Sequence, residues 1–293
     1  MERNELLRRI NTFPLIADEL ARDLLAGDFR SVFRGEGIEF DEVRLYEQGD
    51  DVRSIDRNVS ARYGKPYVKL YREERELTVF VALDCSASMF AGNHSATAPS
   101  RFDQAVLVSA LIGFSAERSG QRFGAIFFDK EPRAVFKPRK SRAHVMAFIS
   151  AALQAHPKER GTNVNLAIAG AGRLLKRRSL IILISDFLSV GWEAELRGLS
   201  EKHDCIACRV VNPLDASFPN VGLVTIEDPE TGQRVTVDPG SRAFRAAWSE
   251  GAAARAAAWQ SACRHAGAAA LSLSTAEDAV SAVKTFFNAR KRR

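Results

Sequence analysis

Leu77-Thr-Val-Phe-Val-Ala-Leu-Asp-Cys-Ser-Ala-Ser-Met89 is the stretch on which the reading of the whole chain turns. Its first seven residues form an almost unbroken apolar run, the pattern of a strand buried on both faces of a parallel sheet. The run stops at Asp84. A carboxylate and two hydroxyls, Asp84, Ser86 and Ser88, then follow at alternate positions where the strand gives way to a loop. In open α/β sheets ligands gather just beyond the carboxyl ends of the strands, and an oxygen-only cluster there points to a hard cation.

Downstream of this strand, apolar runs and helical patterns alternate, as expected of a doubly wound, mostly parallel sheet. The polar loop 92–100 leads to a helix over 102–118. Arg122 to Phe128 reads as a second strand, and Ala134 to Lys137 follows too closely for a helical crossover, so the pair is expected to be an antiparallel edge hairpin. A helix over 141–155 and a Thr162-led helix to about Lys176 precede Leu180 to Ser185, a second fully apolar strand that also stops at a carboxylate, Asp186. Trp192 to Ser200 reads as helix and Asp204 to Val211 as a buried strand. Val221 to Ile226 and Arg234 to Val237 flank Asp228-Pro-Glu-Thr-Gly232, a hairpin signature. An Ala-rich helix over 241–265, a strand over 268–273 and a helix over 277–289 complete the domain, expected to span 77–293. No internal repeat is visible.

Upstream, residues 5–26 carry a helical stripe of Ile16, Leu20 and Leu24, with Pro14 as an interruption. From Arg30 to Glu76 the chain is a dense mixture of Gly, Asp, Arg and aromatic residues. Short strands such as Tyr67 to Tyr71, between turns at Gly49-Asp50 and Gly64-Lys65-Pro66, are expected there. Residues 1–76 are therefore taken as a small amino-terminal helical and β-rich module.

The chain has 293 residues, 46% of them hydrophobic, enough for a sizeable core. Lys and Arg exceed Asp and Glu by 42 to 36. Part of that excess is the closing run Arg290 to Arg293, read as a solvated tail and not as a nucleic-acid contact. Four scattered cysteines, Cys85, Cys205, Cys208 and Cys263, suit a reducing compartment better than a disulfide scaffold. The start of the chain lacks the apolar core of a signal peptide, and no stretch approaches the roughly 20 apolar residues that cross a bilayer. A cytoplasmic protein is expected.

Three segments carry the chemistry: Asp84-x-Ser86-x-Ser88 after one apolar strand, Gly161-Thr162-Asn163 opening a helix, and Ile184-Ser-Asp186 after another. If the two strands are neighbours, Asp84 and Asp186 end on the same sheet edge, with Thr162 entering from an adjacent loop. Two carboxylates and three hydroxyls make an incomplete all-oxygen shell suited to Mg²⁺ or Mn²⁺, the open positions being left to water or a partner's oxygen. Neither Cys nor His is involved, which disfavours zinc. Each residue alone has a plainer reading: Asp84 or Asp186 as a turn or cap residue, Thr162 as a helix N-cap.

Other motifs are set aside. Cys205 and Cys208 lie three apart in a strand, on opposite faces and about 10 Å from each other along the chain, too far for a thiol pair. A phosphatase loop built on Cys85 would need Arg six positions later, and Ala91 stands there. A phosphohydrolase using Asp84 as nucleophile would want a second carboxylate two positions on, where Ser86 is found. There is no phosphate-binding Gly-Lys-Ser loop and no Gly-x-Ser-x-Gly elbow. The phosphohydrolase and a metal-free scaffold remain as alternatives to a cation-dependent binding module.

The ordered set Asp84, Ser86, Ser88, Thr162 and Asp186 resembles the metal-ion-dependent adhesion site (MIDAS) of von Willebrand factor A domains. The chain as a whole is similar to the bacterial family catalogued as domain of unknown function 58. Arg34-Gly-Glu-Gly-Ile-Glu-Phe40, Gly49-Asp-Asp-Val-Arg-Ser-Ile-Asp56, Ser60-Ala-Arg62, Leu83-Asp-Cys-Ser-Ala-Ser-Met89, Ile184-Ser-Asp-Phe187, Glu227-Asp-Pro-Glu-Thr-Gly232 and Ser274-Thr275 carry the resemblance. One departure is Arg57, where such sequences commonly have Trp. The resemblance implies a von Willebrand factor A-like fold and a non-enzymatic protein-binding module whose Mg²⁺ is completed by a partner's acidic side chain. It further implies that Asp84, Ser86 and Ser88 ligate directly or through water, that Thr162 is the third-loop ligand, and that Asp186 accepts from bound water. The expected partner is a MoxR-type AAA+ ATPase, in complex maturation or remodelling.

Overall fold

The computed structural model describes residues 3–26, 38–73, 77–92, 99–158 and 160–291. They form two compact units, one from residues 1–27 with 77–293 and the other from 28–76.

The larger unit is built on a six-stranded sheet. After β1 (Ile38–Leu45) and β2 (Tyr67–Glu73) of the smaller unit come its strands β3 (Thr78–Asp84), β4 (Arg122–Phe128), β5 (Pro132–Arg139), β6 (Leu180–Ser185) and β7 (Asp204–Val211), and, beyond the separate hairpin β8 (Val224–Glu227) and β9 (Arg234–Val237), β10 (Ala269–Ser274). Their order is β10-β7-β6-β3-β4-β5. All neighbours are parallel except β4 and β5, which form the expected antiparallel edge hairpin. The chain works outward from β3 to one edge and then, from β6, to the other. β3 and β6 are thus the adjacent strands at which the order reverses, the place where doubly wound sheets open a crevice.

Alternation along the central strands supplies two cores. Phe80 and Ala82 of β3, Ile126 and Phe128 of β4, Ile181 and Leu183 of β6, and Cys205 and Ala207 of β7 lie in one buried cluster. Covering them are Ala167, Ile168 and Ala171 of one helix (Val164–Leu174), Leu196 and Leu199 of a second (Glu193–Ser200), and Trp259 and Cys263 of a third (Arg242–His265). Val79, Val81 and Leu83 of β3 are equally buried and face the other way. There the helix Arg101–Arg118 is buried along nearly its whole length, lying between the sheet and further helices. Its Ser109 and Ser115 donate to the carbonyls of Ala105 and Leu111, so their hydroxyls enter the core without loss of hydrogen bonding. Cys205 and Cys208 fall on opposite faces, as their spacing requires, and all four cysteines are free and buried.

The first helix departs from expectation. It runs over Arg3–Ala26 straight through Pro14, which forgoes only its own N–H bond to the preceding turn. Its buried stripe is Leu6, Ile10, Phe13, Ala17 and Leu20, with Ile16 half-buried; the Leu24 side chain lies outside the described residues. The stripe packs on Arg101–Arg118, and Arg118 pairs with Asp18 at 3.4 Å. The helix therefore belongs to the sheet domain, and the separate unit is 28–76 in place of the expected 1–76.

That smaller unit pairs β1 (Ile38–Leu45) with β2 (Tyr67–Glu73) antiparallel, around a short helix, Arg57–Tyr63, that the sequence reading did not include. Its acidic motif is structural. Asp50 holds Arg44 through two bonds of 2.7 and 2.8 Å, Asp51 caps the 3-10 turn Val52–Ser54, and Asp56 caps the short helix at Asn58 and Val59. The Ser60 hydroxyl accepts from the Tyr67 N–H at 2.9 Å. Residues 34–37 of the first family-like segment lie outside the described residues.

Candidate metal centre

Asp84 closes β3 and Asp186 follows β6, so the strand pairing Leu83 with Ile184 brings both carboxyl groups to one edge. Asp84 is fully buried. Its Oδ1 accepts from the Ser86 N–H at 2.8 Å and its Oδ2 from the Ser185 hydroxyl at 2.6 Å. The Ser86 and Ser88 hydroxyls lie 3.2 Å apart, both buried. Burial, then the charge of Asp186, raises the Asp84 carboxyl to about 7 against the opposing hydrogen bonds from Ser185 and Ser86. Asp186 is likewise raised, chiefly by burial. Four of the five expected residues are thus gathered at the switch point.

Asp186 is incompletely satisfied. Its Oδ1 accepts from the Leu188 N–H at 3.1 Å. Ser88 stands close enough to lower its proton affinity, yet Oδ2 is buried and has no hydrogen-bond partner among the described residues. Immediately after it, Phe187 takes a positive φ of 53°, alone among the described non-glycine residues. The ring is held there by Trp192 and Trp259, with centroids 5.1 and 6.0 Å away. Such local strain is tolerated where surrounding packing fixes it and is concentrated at functional sites.

Thr162 does not lead its helix. Asn163 is the N-cap, its side chain accepting from the Leu166 N–H, and the helix begins at Val164. Thr162 is half-exposed between two anchored neighbours: the Asn163 N–H donates to the Asp129 carbonyl at 2.9 Å, and the Gly161 N–H donates to the Glu230 carboxylate at 2.7 Å. Its hydroxyl makes no hydrogen bond among the described residues, so it is free to ligate.

Three further residues support this edge. Arg101, almost wholly buried, donates to the carbonyls of Ser88 at 3.0 Å and Ala91 at 3.2 Å and pairs with Asp215. It fixes the loop carrying Ser88 from behind. Asp129, at the end of β4, accepts from the Glu131 N–H at 3.0 Å and the Arg133 guanidinium at 2.6 Å, which tie it to its own turn. Glu230, at the tip of the hairpin formed by β8 (Val224–Glu227) and β9 (Arg234–Val237), accepts from Ser88 N–H at 2.8 Å as well as from Gly161. Glu230 and Ser185 lie inside segments the sequence already marked, although no local spacing announced their contacts. Arg101 falls one residue before the helix expected over 102–118 and carries no local signal of its own.

Among the described residues no three His, Cys, Asp or Glu side chains form a metal cluster; the donor set is two carboxylates with hydroxyls. Cys85, beside it, is buried with its thiol raised by burial and by Asp84. The expected free basic tail is also shortened, because Arg290 pairs with Asp204.

The sheet is doubly wound and mostly parallel, with Asp-x-Ser-x-Ser at the end of its first strand and a second Asp at the switch point. The chain belongs to the family described as protein of unknown function DUF58, whose model matches residues 42–258. A relative from Mycobacterium tuberculosis, uncharacterized protein Rv1480, is 33% identical over 98% of this chain and 90% of its own length. Among solved structures, an aerotolerance-related membrane protein from Bacteroides fragilis aligns over 74% of this chain and all of its own, at 18% identity and a TM-score of 0.48. The SpRpn10 VWA domain aligns over 72% of this chain and 94% of its own, at 12% identity and a TM-score of 0.42. No helix among the described residues is long and apolar enough to cross a membrane.

Proposed function

We propose that the sheet domain is a divalent-cation-dependent protein-binding module. Asp84, Ser86, Ser88, Thr162 and Asp186 are its metal-holding residues, for Mg²⁺ or Mn²⁺. The observation that carries this reading is the buried, unpartnered Oδ2 of Asp186 beside a second buried carboxylate. Two carboxylates taken out of water together are costly unless a cation compensates them, and an oxygen-only donor set fits a hard ion. When bound, such an ion supplies concentrated positive charge with an open coordination position.

The chain's own residues do the rest. Ser185 and the Ser86 N–H orient Asp84, Arg101 fixes the Ser88 backbone, and Glu230 with Asp129 hold the segment around Thr162. The complementary ligand is an acidic side chain on a protein partner. Following the resemblance, that partner is a MoxR-type AAA+ ATPase in complex maturation or remodelling. Binding is favoured over hydrolysis because Ser86 stands where an acid and base would be needed.

Calorimetric titration of Mg²⁺ and Mn²⁺ into wild type and Asp84→Ala tests the ion: heat from wild type alone supports it, and equal heats from both contradict it. Binding of a purified MoxR-type ATPase in Mg²⁺, lost in chelator, tests the partner.

A further inference from the structure

The hairpin β8 and β9 sends one side chain into the cation site. Each carboxylate oxygen of Glu230 takes a different backbone N–H: Oε1 that of Ser88 at 2.8 Å, Oε2 that of Gly161 at 2.7 Å. Ser88 and Gly161 are 73 residues apart in the chain and belong to two separate loops of the candidate centre. One planar group therefore ties together the loop carrying Ser86 and Ser88 and the loop carrying Thr162.

The geometry points to Glu230 as a positioning residue for the cation site: a strut that sets the distance between the Ser88 and Thr162 hydroxyls before the ion arrives. This inference rests on the cation-dependent reading above and adds to it a residue outside the adhesion-type ligand set.

Several features show that the strut is built and not incidental. The Glu230 N–H donates to Asp228 Oδ1 at 2.9 Å, and the Thr231 hydroxyl to Asp228 Oδ2 at 2.7 Å, so the turn presenting Glu230 is locked from within. Arg160, next to Gly161, donates to the Thr231 carbonyl at 3.0 Å and lies against Gly232, leaving no room for a Cβ there. Gly161 itself has φ of +103°, a conformation suited to glycine. The bonds are charge-assisted, stronger than neutral ones and fixed in direction. Outer residues of this kind, which hold ligands without touching the ion, commonly set metal affinity.

The test compares the full-length wild type with Glu230→Ala, Glu230→Gln and Glu227→Ala. Glu227 pairs with Arg234 on the exposed hairpin and reaches Arg160 only at 3.8 Å, an exposed contact worth little, so its loss leaves both Glu230 bonds in place. Two readouts are taken: amide hydrogen exchange at Ser88 and Gly161 in chelator, and the Mg²⁺ dissociation constant by calorimetry. Glu230→Ala is expected to expose both amides to exchange and to weaken Mg²⁺ about tenfold or more. Glu230→Gln, which keeps the shape and one acceptor, is expected to fall between it and wild type, and Glu227→Ala to match wild type. If Glu230→Ala does not fold, the Gln variant carries the comparison. Unchanged exchange in the Glu230 variants, or Mg²⁺ affinity within about twofold of wild type, overturns the strut. If wild type takes up no Mg²⁺, the cation reading falls; exchange in chelator still decides whether Glu230 joins the loops, and unchanged exchange overturns the strut on its own.

Discussion

Replacing Asp84 by Asn should stabilise the metal-free protein while abolishing its response to Mg²⁺. Asp84 is fully buried, and its carboxyl is raised from an ordinary 3.8 to about 7, by burial first and then by Asp186. A carboxyl raised in the fold contributes stability below its unfolded value, and that contribution is lost as pH climbs to its folded value. Metal-free wild type should therefore lose stability between about pH 4 and pH 7. At roughly 1.4 kcal/mol per pH unit, the loss is on the order of 4 kcal/mol. Asn removes the charge. Its Oδ1 can still accept from the Ser86 N–H, while Nδ2 meets the Ser185 hydroxyl in place of an acceptor, at a cost of about 1 kcal/mol. The net gain at pH 8 in chelator is about 2 to 3 kcal/mol, roughly 5 to 10 °C in melting temperature for a domain of this size. Added Mg²⁺ at a hundred times its dissociation constant should stabilise wild type by about 2.7 kcal/mol and leave Asp84→Asn unmoved. Thermal melts from pH 4 to 8, with chelator or Mg²⁺, provide the assay. An Asn variant that melts below wild type at pH 8 in chelator would refute the reasoning.

Native thiols should be inert, because burial pushes Cys205 and Cys208 up to about 12 and raises Cys85 as well; a thiol-specific dye should react with the four cysteines only after denaturation, and rapid labelling of the native chain would contradict the packing. Gly124→Ala should cost roughly 1 to 3 kcal/mol in urea unfolding, since its Cβ would stand 2.9 Å from the Phe136 carbonyl and 3.0 Å from Phe80; an unshifted midpoint would count against the β4–β5 register. Gly161→Ala meets no steric obstacle but must adopt φ near +103°, so a loss of about 1 to 3 kcal/mol is expected, with weakened Mg²⁺ uptake. Unchanged stability would mean that the loop relaxes elsewhere.

Much of the fold was legible because central strands buried on both faces must be apolar throughout. Arg122 to Phe128, Leu180 to Ser185 and Asp204 to Val211 were read to the residue. The two Asp residues that end such runs gave the switch point. What escaped was whatever depends on a distant partner. A helical stripe shows that Arg3–Ala26 must be covered, yet not by what, so its membership of the sheet domain was missed. The helix Arg57–Tyr63 has no buried residue and hence no stripe; only the Asp56 cap and the left-handed Gly64 announce it. Thr162 looked like an N-cap because Asn163, which holds that place, is an equally good one. Glu230 sits in a turn signature that says nothing of Ser88, 142 residues earlier.

Hydroxyls and carboxylates from three loops can share one ion only if that ion sits at the β3–β6 edge. Crystals of the full chain grown with Mn²⁺ and measured for anomalous scattering test it most directly. A single strong peak is expected at the β3–β6 edge, among Ser86, Ser88 and Thr162 and beside Asp84 and Asp186. No peak there, or a peak bound elsewhere with Thr162 turned away, would contradict it.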